Sequence, residues 1–459
     1  MWKNKLLRSF WLILLVWYTE ARAQNAQLTI NEAALTAGSA SATPGGYNYN
    51  PGILGLLTNI MVKGNGDLNP ASGPAIPLTK FTATYIKGTA IGTTVTLNTT
   101  TARSITSNLL SLLLLSGGPF TVKYEAPDLA ATAWQAGTYS NTLAFSLYEI
   151  LSLGAAVTPA SVTLTVVVDP LMKERVAPVD IALLVNELKY FRNTILEYNN
   201  ALQLQHTIPL QLGLVANTEP LGFENDAVTD PQTSVGKIQV QTGATTLRLS
   251  TTSQPLAADV PVPMGNKTNF NVRFFISPSD LIAGFMNKGN YTTKVTLQGA
   301  NASYPSNTYS KTLNLTVTVN DLSELNVSTT GVTLLFQTAA DYKNGVALDI
   351  PNHLQVSKTT PYDISVRTQT ADFSGTGQTN SGVSFPVSIL ELGLVEGQSV
   401  VNTINALSTT DQLLVSGAPP VVDRFLNIRY RIPSSQTHYL INKPAGTYTA
   451  SVIYTLTAH

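Results

Sequence analysis

The chain has 459 residues, 27 basic against 27 acidic side chains, 12% charged and 44% hydrophobic residues, and no cysteine. At roughly 100–200 residues per domain this length predicts two to four domains, and the apolar content excludes wholesale disorder. Without thiols there is no disulfide scaffold, thiolate metal site, cysteine nucleophile or lipid-bearing cysteine, and an even charge balance has no basic excess for nucleic acid.

Residues 1–23 read as a secretory signal peptide. Lys3, Lys5 and Arg8 form its positive start, Phe10 to Tyr18 its apolar stretch and Ala21-Arg22-Ala23 its cleavage site. The apolar stretch is too short for a bilayer, which takes about 20 residues, and Leu109 to Leu115 further on is only strand-length. Cleavage removes Lys3, Lys5, Arg8, Arg22 and Glu20, leaving 23 basic and 26 acidic groups on an exported protein with no transmembrane segment.

From Gln24 onward the chain repeats itself three times. Phe120-Thr-Val-Lys-Tyr-Glu-Ala-Pro127 recurs as Phe270-Asn-Val-Arg-Phe-Phe-Ile-Ser-Pro278 and as Leu426-Asn-Ile-Arg-Tyr-Arg-Ile-Pro433. A variable stretch holding Trp134, Phe285 or Tyr439 follows each, and then Ala136-Gly-Thr-Tyr139, Lys288-Gly-Asn-Tyr291 or Ala445-Gly-Thr-Tyr448. Each of these runs into an alternating, Thr-rich strand. Gly137, Gly289 and Gly446 suit a tight turn of positive φ, and Tyr139, Tyr291 and Tyr448 begin the strand. Because they recur in every copy, these six are structural repeat positions, with the tyrosines packing as in the tyrosine corner of other sandwiches.

Further echoes join Leu249–Gln254 with Leu407–Gln412, Ile208–Leu214 with Thr360–Val366, and Ile76-Pro-Leu78 with Phe385-Pro-Val387. Tyr190-Phe191 followed by Glu197–Asn200 stands against Leu335-Phe336 followed by Asp341–Asn344. Thr-rich strands end at Asp169-Pro170 and Asn320-Asp321, which are turn or linker chemistry. The expected division is 1–23 signal peptide, then repeats at 24–170, 171–320 and 321–459. Short β-branched strands between Gly, Pro, Asn, Asp and Ser clusters predict an all-β fold of three tandem antiparallel β-sandwiches. One short helix at most is expected near 180–195, where Ile181, Leu184, Val185, Leu188 and Phe191 have helical spacing and Asp180 suits a cap.

Groups able to do chemistry are scarce. His206, His353, His438 and His459 are scattered, with no metal-ligand spacing, so a surface position is expected for each. Glu149, Glu219 and Glu391 are isolated acids. Asp226, Asp230, Asp321 and Glu324 fall in loops or linkers that could hold calcium, but no Asp-x-Asp-x-Asp loop is present. A nucleophile elbow, a phosphate-cradling loop and a dinucleotide fingerprint are also absent. No catalytic, cofactor-binding or metal residue is therefore assigned, and no cofactor is expected. Where the copies differ, Thr43 to Pro51 (TPGGYNYNP) is the best candidate for a binding face.

The third copy carries a resemblance in Asp341-Tyr-Lys-Asn-Gly345, Pro361-Tyr-Asp-Ile-Ser-Val366 and Pro444-Ala-Gly-Thr-Tyr-Thr449. It resembles secreted β-sandwich domains of the spore-coat-U and fimbrial-subunit type from Gram-negative bacteria. That resemblance implies an Ig-like or fimbrial-like sandwich without catalytic residues. Fimbrial subunits are usually single domains with a disulfide, whereas this chain is threefold and cysteine-free. The leading expectation is an exported, non-enzymatic, structural or adhesin-like protein of the cell surface or extracellular space. Its expected partners are further copies of itself or a surface glycan or protein. The alternative is a secreted carbohydrate-binding or carbohydrate-active protein. A variant of the first reading has Leu28 and Ile30 of the mature N-terminus filling a groove in a neighbouring molecule.

Overall fold

The computed structural model describes residues 25–52, 58–71, 73–106, 117–148, 154–225, 230–395 and 402–459. The signal-peptide reading, the Leu109–Leu115 stretch, Glu149 and Asp226 lie outside the described residues. The described residues are all-β, built of β-sandwiches with mostly antiparallel strands and only short helical turns between them. The strands form as their alternation dictates. In Ser161–Val168 the residues Val162, Leu164, Val166 and Val168 point inward and are buried, while Ser161, Thr163, Thr165 and Val167 alternate between them.

Seven sheets among the described residues fall into three consecutive groups. In the first, one sheet runs Asn25–Ile30, Ser161–Val168, Gly137–Tyr148, Asn59–Gly64, Arg103–Ser104. In the second, the corresponding order is Ile181–Val185, Tyr309–Val319, Gly289–Ala300, Leu210–Ala216, Gln254–Val260. Three of these positions need names. The opening strand (Asn25–Ile30 or Ile181–Val185) lies parallel to the closing strand (Ser161–Val168 or Tyr309–Val319). The closing strand lies antiparallel to the corner strand (Gly137–Tyr148 or Gly289–Ala300). A second sheet, centred on Gly118–Ala126 or Lys267–Ile276, completes each group around its own apolar cluster.

The third group repeats the second sheet with Ser323–Val327, Gly345–Lys358, Val421–Pro433 and Glu391–Leu394. Its first sheet has only Gln412–Ala418, Tyr362–Thr368 and the corner strand Val452–Ala458. The start of that corner, Tyr448–Thr449, pairs with Asp372–Gly375, as Tyr139 pairs with Pro70 and Tyr291 with Phe223.

One short helix lies within 180–195, at Lys189–Arg192, but the helical spacing from Ile181 is not helix: Ile181, Leu183 and Val185 bury alternately as the opening strand beside Leu315–Val319. Asp180 caps no helix: its carboxylate accepts from the backbone and side chain of Asn314. The echo between Tyr190-Phe191 and Leu335-Phe336 also shifts. Leu202 pairs with Phe270 and Leu354 with Leu426, so the helix Ala339–Asn344 stands where Lys189–Arg192 does. The shift brings residues 331–336 to the neighbourhood of Ile181–Val185 in the sequence.

Candidate functional site: the edge of the third corner strand

The three repeat signatures fold alike at their start. Gly137, Gly289 and Gly446 have φ of 151°, 147° and 157°, on the positive side that glycine tolerates. Tyr139, Tyr291 and Tyr448 each donate the phenolic hydroxyl to the carbonyl four residues back, on Gln135, Asn287 and Pro444, at 2.8–2.9 Å. Tyr139 and Tyr291 are fully buried, and burial raises the pKa of both phenols. Tyr448 is only half-buried.

The difference comes from the neighbouring strand. In the first two groups the closing strand covers one edge of the corner strand, and Leu143, Val295 and Leu297 are sealed from solvent. Leu164, Val166, Leu315 and Val317 of the closing strands are equally buried. In the third group, none of the described residues pairs with the outer edge of Val452–Ala458. Val452, Tyr454 and Leu456 pack against the core but stay half-buried.

The segment that would be the opening strand behaves consistently. Residues 331–336 belong to no sheet, yet Val332, Leu334 and Phe336 lie against the third core while Thr333 and Leu335 face outward, Leu335 at 59% exposure. Their exposure alternates as in Ile181–Val185. In the strand order of the first two groups, the vacant place lies between this segment and the corner strand. An unpaired edge beside half-covered apolar side chains is a template for one more strand.

The other candidates resolve differently. In Thr43–Pro51, Tyr47–Asn50 is a strand whose Tyr47 and Tyr49 are buried in the first core, while Thr43, Gly45, Gly46, Asn48 and Asn50 are exposed. There the Tyr47 and Tyr124 hydroxyls meet at 2.9 Å, and burial pushes the Tyr47 pKa up to about 12. Leu28 and Ile30 are not free to fill a neighbour's groove, because both are fully buried in their own sandwich with Asn25–Ile30 paired to Ser161–Val168.

The surface expectation fails for two histidines. His206 is buried, with Nδ1 2.7 Å from the Ile208 carbonyl and Nε2 2.8 Å from the Thr268 hydroxyl. His353 is buried, with Nε2 2.9 Å from the Tyr430 hydroxyl, which meets the Tyr454 hydroxyl at 2.6 Å. Burial lowers the pKa of both imidazoles and pushes that of Tyr430 up to about 12. His438 is exposed, and His459 lies 2.9 Å from Asp363.

The described acids among those considered for calcium are engaged elsewhere. Asp321 pairs with Lys358 at 2.5 Å, Glu324 with Arg192 at 3.1 Å, and Asp230 accepts from the backbone of Gln232. Arg192 also grips Asp423 at 2.8 Å, holding that carboxyl below its usual range. Among the described residues no three His, Asp or Glu side chains gather as a metal site. No helix among them is long and apolar enough to cross a membrane.

No family model matches the chain, and no curated protein matches it. Solved structures do. The CooA pilin subunit from enterotoxigenic Escherichia coli is similar at 12% identity and TM-score 0.24, over 33% of this chain and 98% of that one. The CupB6 tip adhesin from Pseudomonas aeruginosa is similar at 12% and 0.27, over 65% and 98%. A chain of the CsuC-CsuE chaperone-tip adhesion subunit complex, from the archaic chaperone-usher Csu pili of Acinetobacter baumannii, is similar at 12% and 0.29, over 61% and 99%.

Proposed function

We propose that this chain is an exported, non-enzymatic surface subunit, structural or adhesin-like, made of three tandem β-sandwich domains at 24–170, 171–320 and 321–459. The first two domains close themselves. The third takes up one further strand at the outer edge of Val452–Ala458, a place through which the chain can join a larger extracellular assembly. One observation carries this reading: among the described residues none pairs with the outer edge of the third corner strand, where the first two groups hold a closing strand.

The first two domains also specify the occupant. It is a strand with apolar residues at alternate positions, as in Leu313, Leu315, Val317 and Val319, running antiparallel to Val452–Ala458. Backbone hydrogen bonds to the free edge supply affinity, and the alternate side chains entering the core supply register. The pilin and tip-adhesin folds found by comparison agree with a surface role, and the shortage of converging chemical groups agrees with a non-enzymatic one.

A synthetic peptide of the Tyr309–Val319 sequence tests this. It is expected to form a 1:1 complex with the chain by native mass spectrometry and to raise the melting temperature of the third domain. At a hundredfold excess over Kd the stabilisation is about 2.7 kcal/mol. The same peptide with Asp in place of Leu313, Leu315 and Val317 is expected not to bind. Absence of a complex with the native peptide, at an unchanged melting temperature, would overturn the proposal.

A further inference from the structure

The two junctions between consecutive sheet groups are built on one frame. At the first, Thr207 donates its backbone N–H to the Leu171 carbonyl and accepts the Leu171 N–H on its hydroxyl, at 3.0 and 2.8 Å. That hydroxyl donates to the Asp169 carbonyl at 2.6 Å, and the Thr207 carbonyl accepts the Ala136 N–H at 2.6 Å. At the second, Thr359 makes the same four bonds to Leu322, Asn320 and Lys288, at 3.1, 2.8, 2.7 and 2.8 Å. Both threonines are fully buried. Asp169 and Asn320 directly follow the closing strands, so the frame holds the end of one group against the body of the next.

Onto this common frame the chain places ion pairs of opposite sense. Two residues beyond the framing leucine stand Lys173 at the first junction and Glu324 at the second. Each meets the short helix that follows the opening strand of the preceding group. At the first junction the helix Glu32–Ala37 supplies the acid, and Glu32 pairs with Lys173 and Arg175, both at 3.2 Å. At the second the helix Lys189–Arg192 supplies the base, and Arg192 pairs with Glu324 at 3.1 Å and Asp423 at 2.8 Å. Asp423 lies three residues before Leu426, where the second group has Lys267 before Phe270, so the sign is inverted there as well. The six paired side chains are only partly exposed, and their charges act through less water than those of a free surface pair.

We propose that the frame sets the docking geometry and the inverted charges select which groups dock. The acidic helix of the first group fits the basic face of the second, and the basic helix of the second fits the acidic face of the third. The crossed arrangements bring like charges together, Glu32 on Glu324 or Arg192 on Lys173. Neighbouring copies of the chain are thereby kept from docking second group on second group or first on third, while each copy holds its own three groups together. This selection does not depend on the open edge of the third group, so its failure would leave the strand-acceptor reading intact.

Amide hydrogen exchange of the full chain tests it. The readout is the framing amides: Ala136, Leu171 and Thr207 at the first junction, Lys288, Leu322 and Thr359 at the second. Lys173→Glu with Arg175→Glu sets an acidic face against Glu32. Exchange at the first set is expected to quicken about tenfold, with the second set and the core amides of Leu164 and Val317 unchanged. Adding Glu32→Lys turns the first junction to the sense of the second and is expected to restore exchange to within about twofold of the unaltered chain. Arg192→Glu is expected to quicken the second set alone. Unchanged exchange at the first set in the double variant, or a quickening that Glu32→Lys does not reverse, would overturn selection by charge.

Discussion

The second and third sheet groups contain the same turn, the same tyrosine and the same following strand, yet Val295 and Leu297 are sealed while Val452 and Tyr454 are half-open. The local sequence fixes the strand and its inward face in both. Burial is decided by whether a neighbour occupies the next place in the sheet. The hydrophobic stabilisation of a strand is thus a property of the pair, and an alternating sequence whose partner place is vacant exposes apolar surface that favours association.

The largest effects are expected in the closed groups. Leu315→Ala removes a fully buried side chain from a closing strand and should cost about 2–5 kcal/mol in urea denaturation. Leu456→Ala, on the half-open strand, should cost about 1 kcal/mol in the free chain and more once the Tyr309–Val319 peptide is bound. Equal costs in the free chain would erase the contrast between the two groups.

The corner glycines refine it. A Cβ at Gly289 would lie 2.7 Å from the Phe223 ring and 2.9 Å from the Glu224 carbonyl, while one at Gly137 meets nothing within 4 Å. Gly289→Ala is expected to cost about 3 kcal/mol and Gly137→Ala about 1 kcal/mol, the latter from backbone strain alone. Thermal melts of the two variants give the comparison. Smaller again is Tyr291→Phe, which removes one buried hydrogen bond worth about 1 kcal/mol; Tyr448→Phe, at a half-buried position, should cost less.

The pH response is the mildest. His206 and His353 have pKa values lowered by burial, so the unfolded chain takes up protons first as pH falls. Their contribution is complete above about pH 6.5, the unperturbed value, and declines below it. The melting temperature should therefore drop between pH 7.5 and 5.5, and His206→Asn should flatten that drop. A melting temperature that rises on acidification would contradict the assigned burial.

Much of the sandwich was legible because alternation and turn chemistry are local. The Phe120, Phe270 and Leu426 echoes are three central strands, and Leu78, Val235 and Val387 each open a single helical turn at the same place in their groups. What failed depends on tertiary partners. Ile181–Val185 fits helical and strand periods alike, and only its parallel pairing with Tyr309–Val319 selects the strand. In Thr43–Pro51 the two-residue spacing of Tyr47 and Tyr49 carries a strand signal, and both tyrosines are buried. Burial of His206 and His353 follows from Ile208, Thr268 and Tyr430, and isolated histidines give no spacing to reveal such contacts. The open edge of the third group was unreadable for a related reason, since its meaning lies in a neighbour that the local strand pattern does not specify.

Amide hydrogen exchange on the unmodified chain tests the open edge most directly. Amides of Val452–Ala458 that face away from Tyr362–Thr368 should exchange orders of magnitude faster than the equivalent amides of Tyr291–Gly299, and slow when the Tyr309–Val319 peptide is added. Equal protection of the two strands in the free chain would contradict the account.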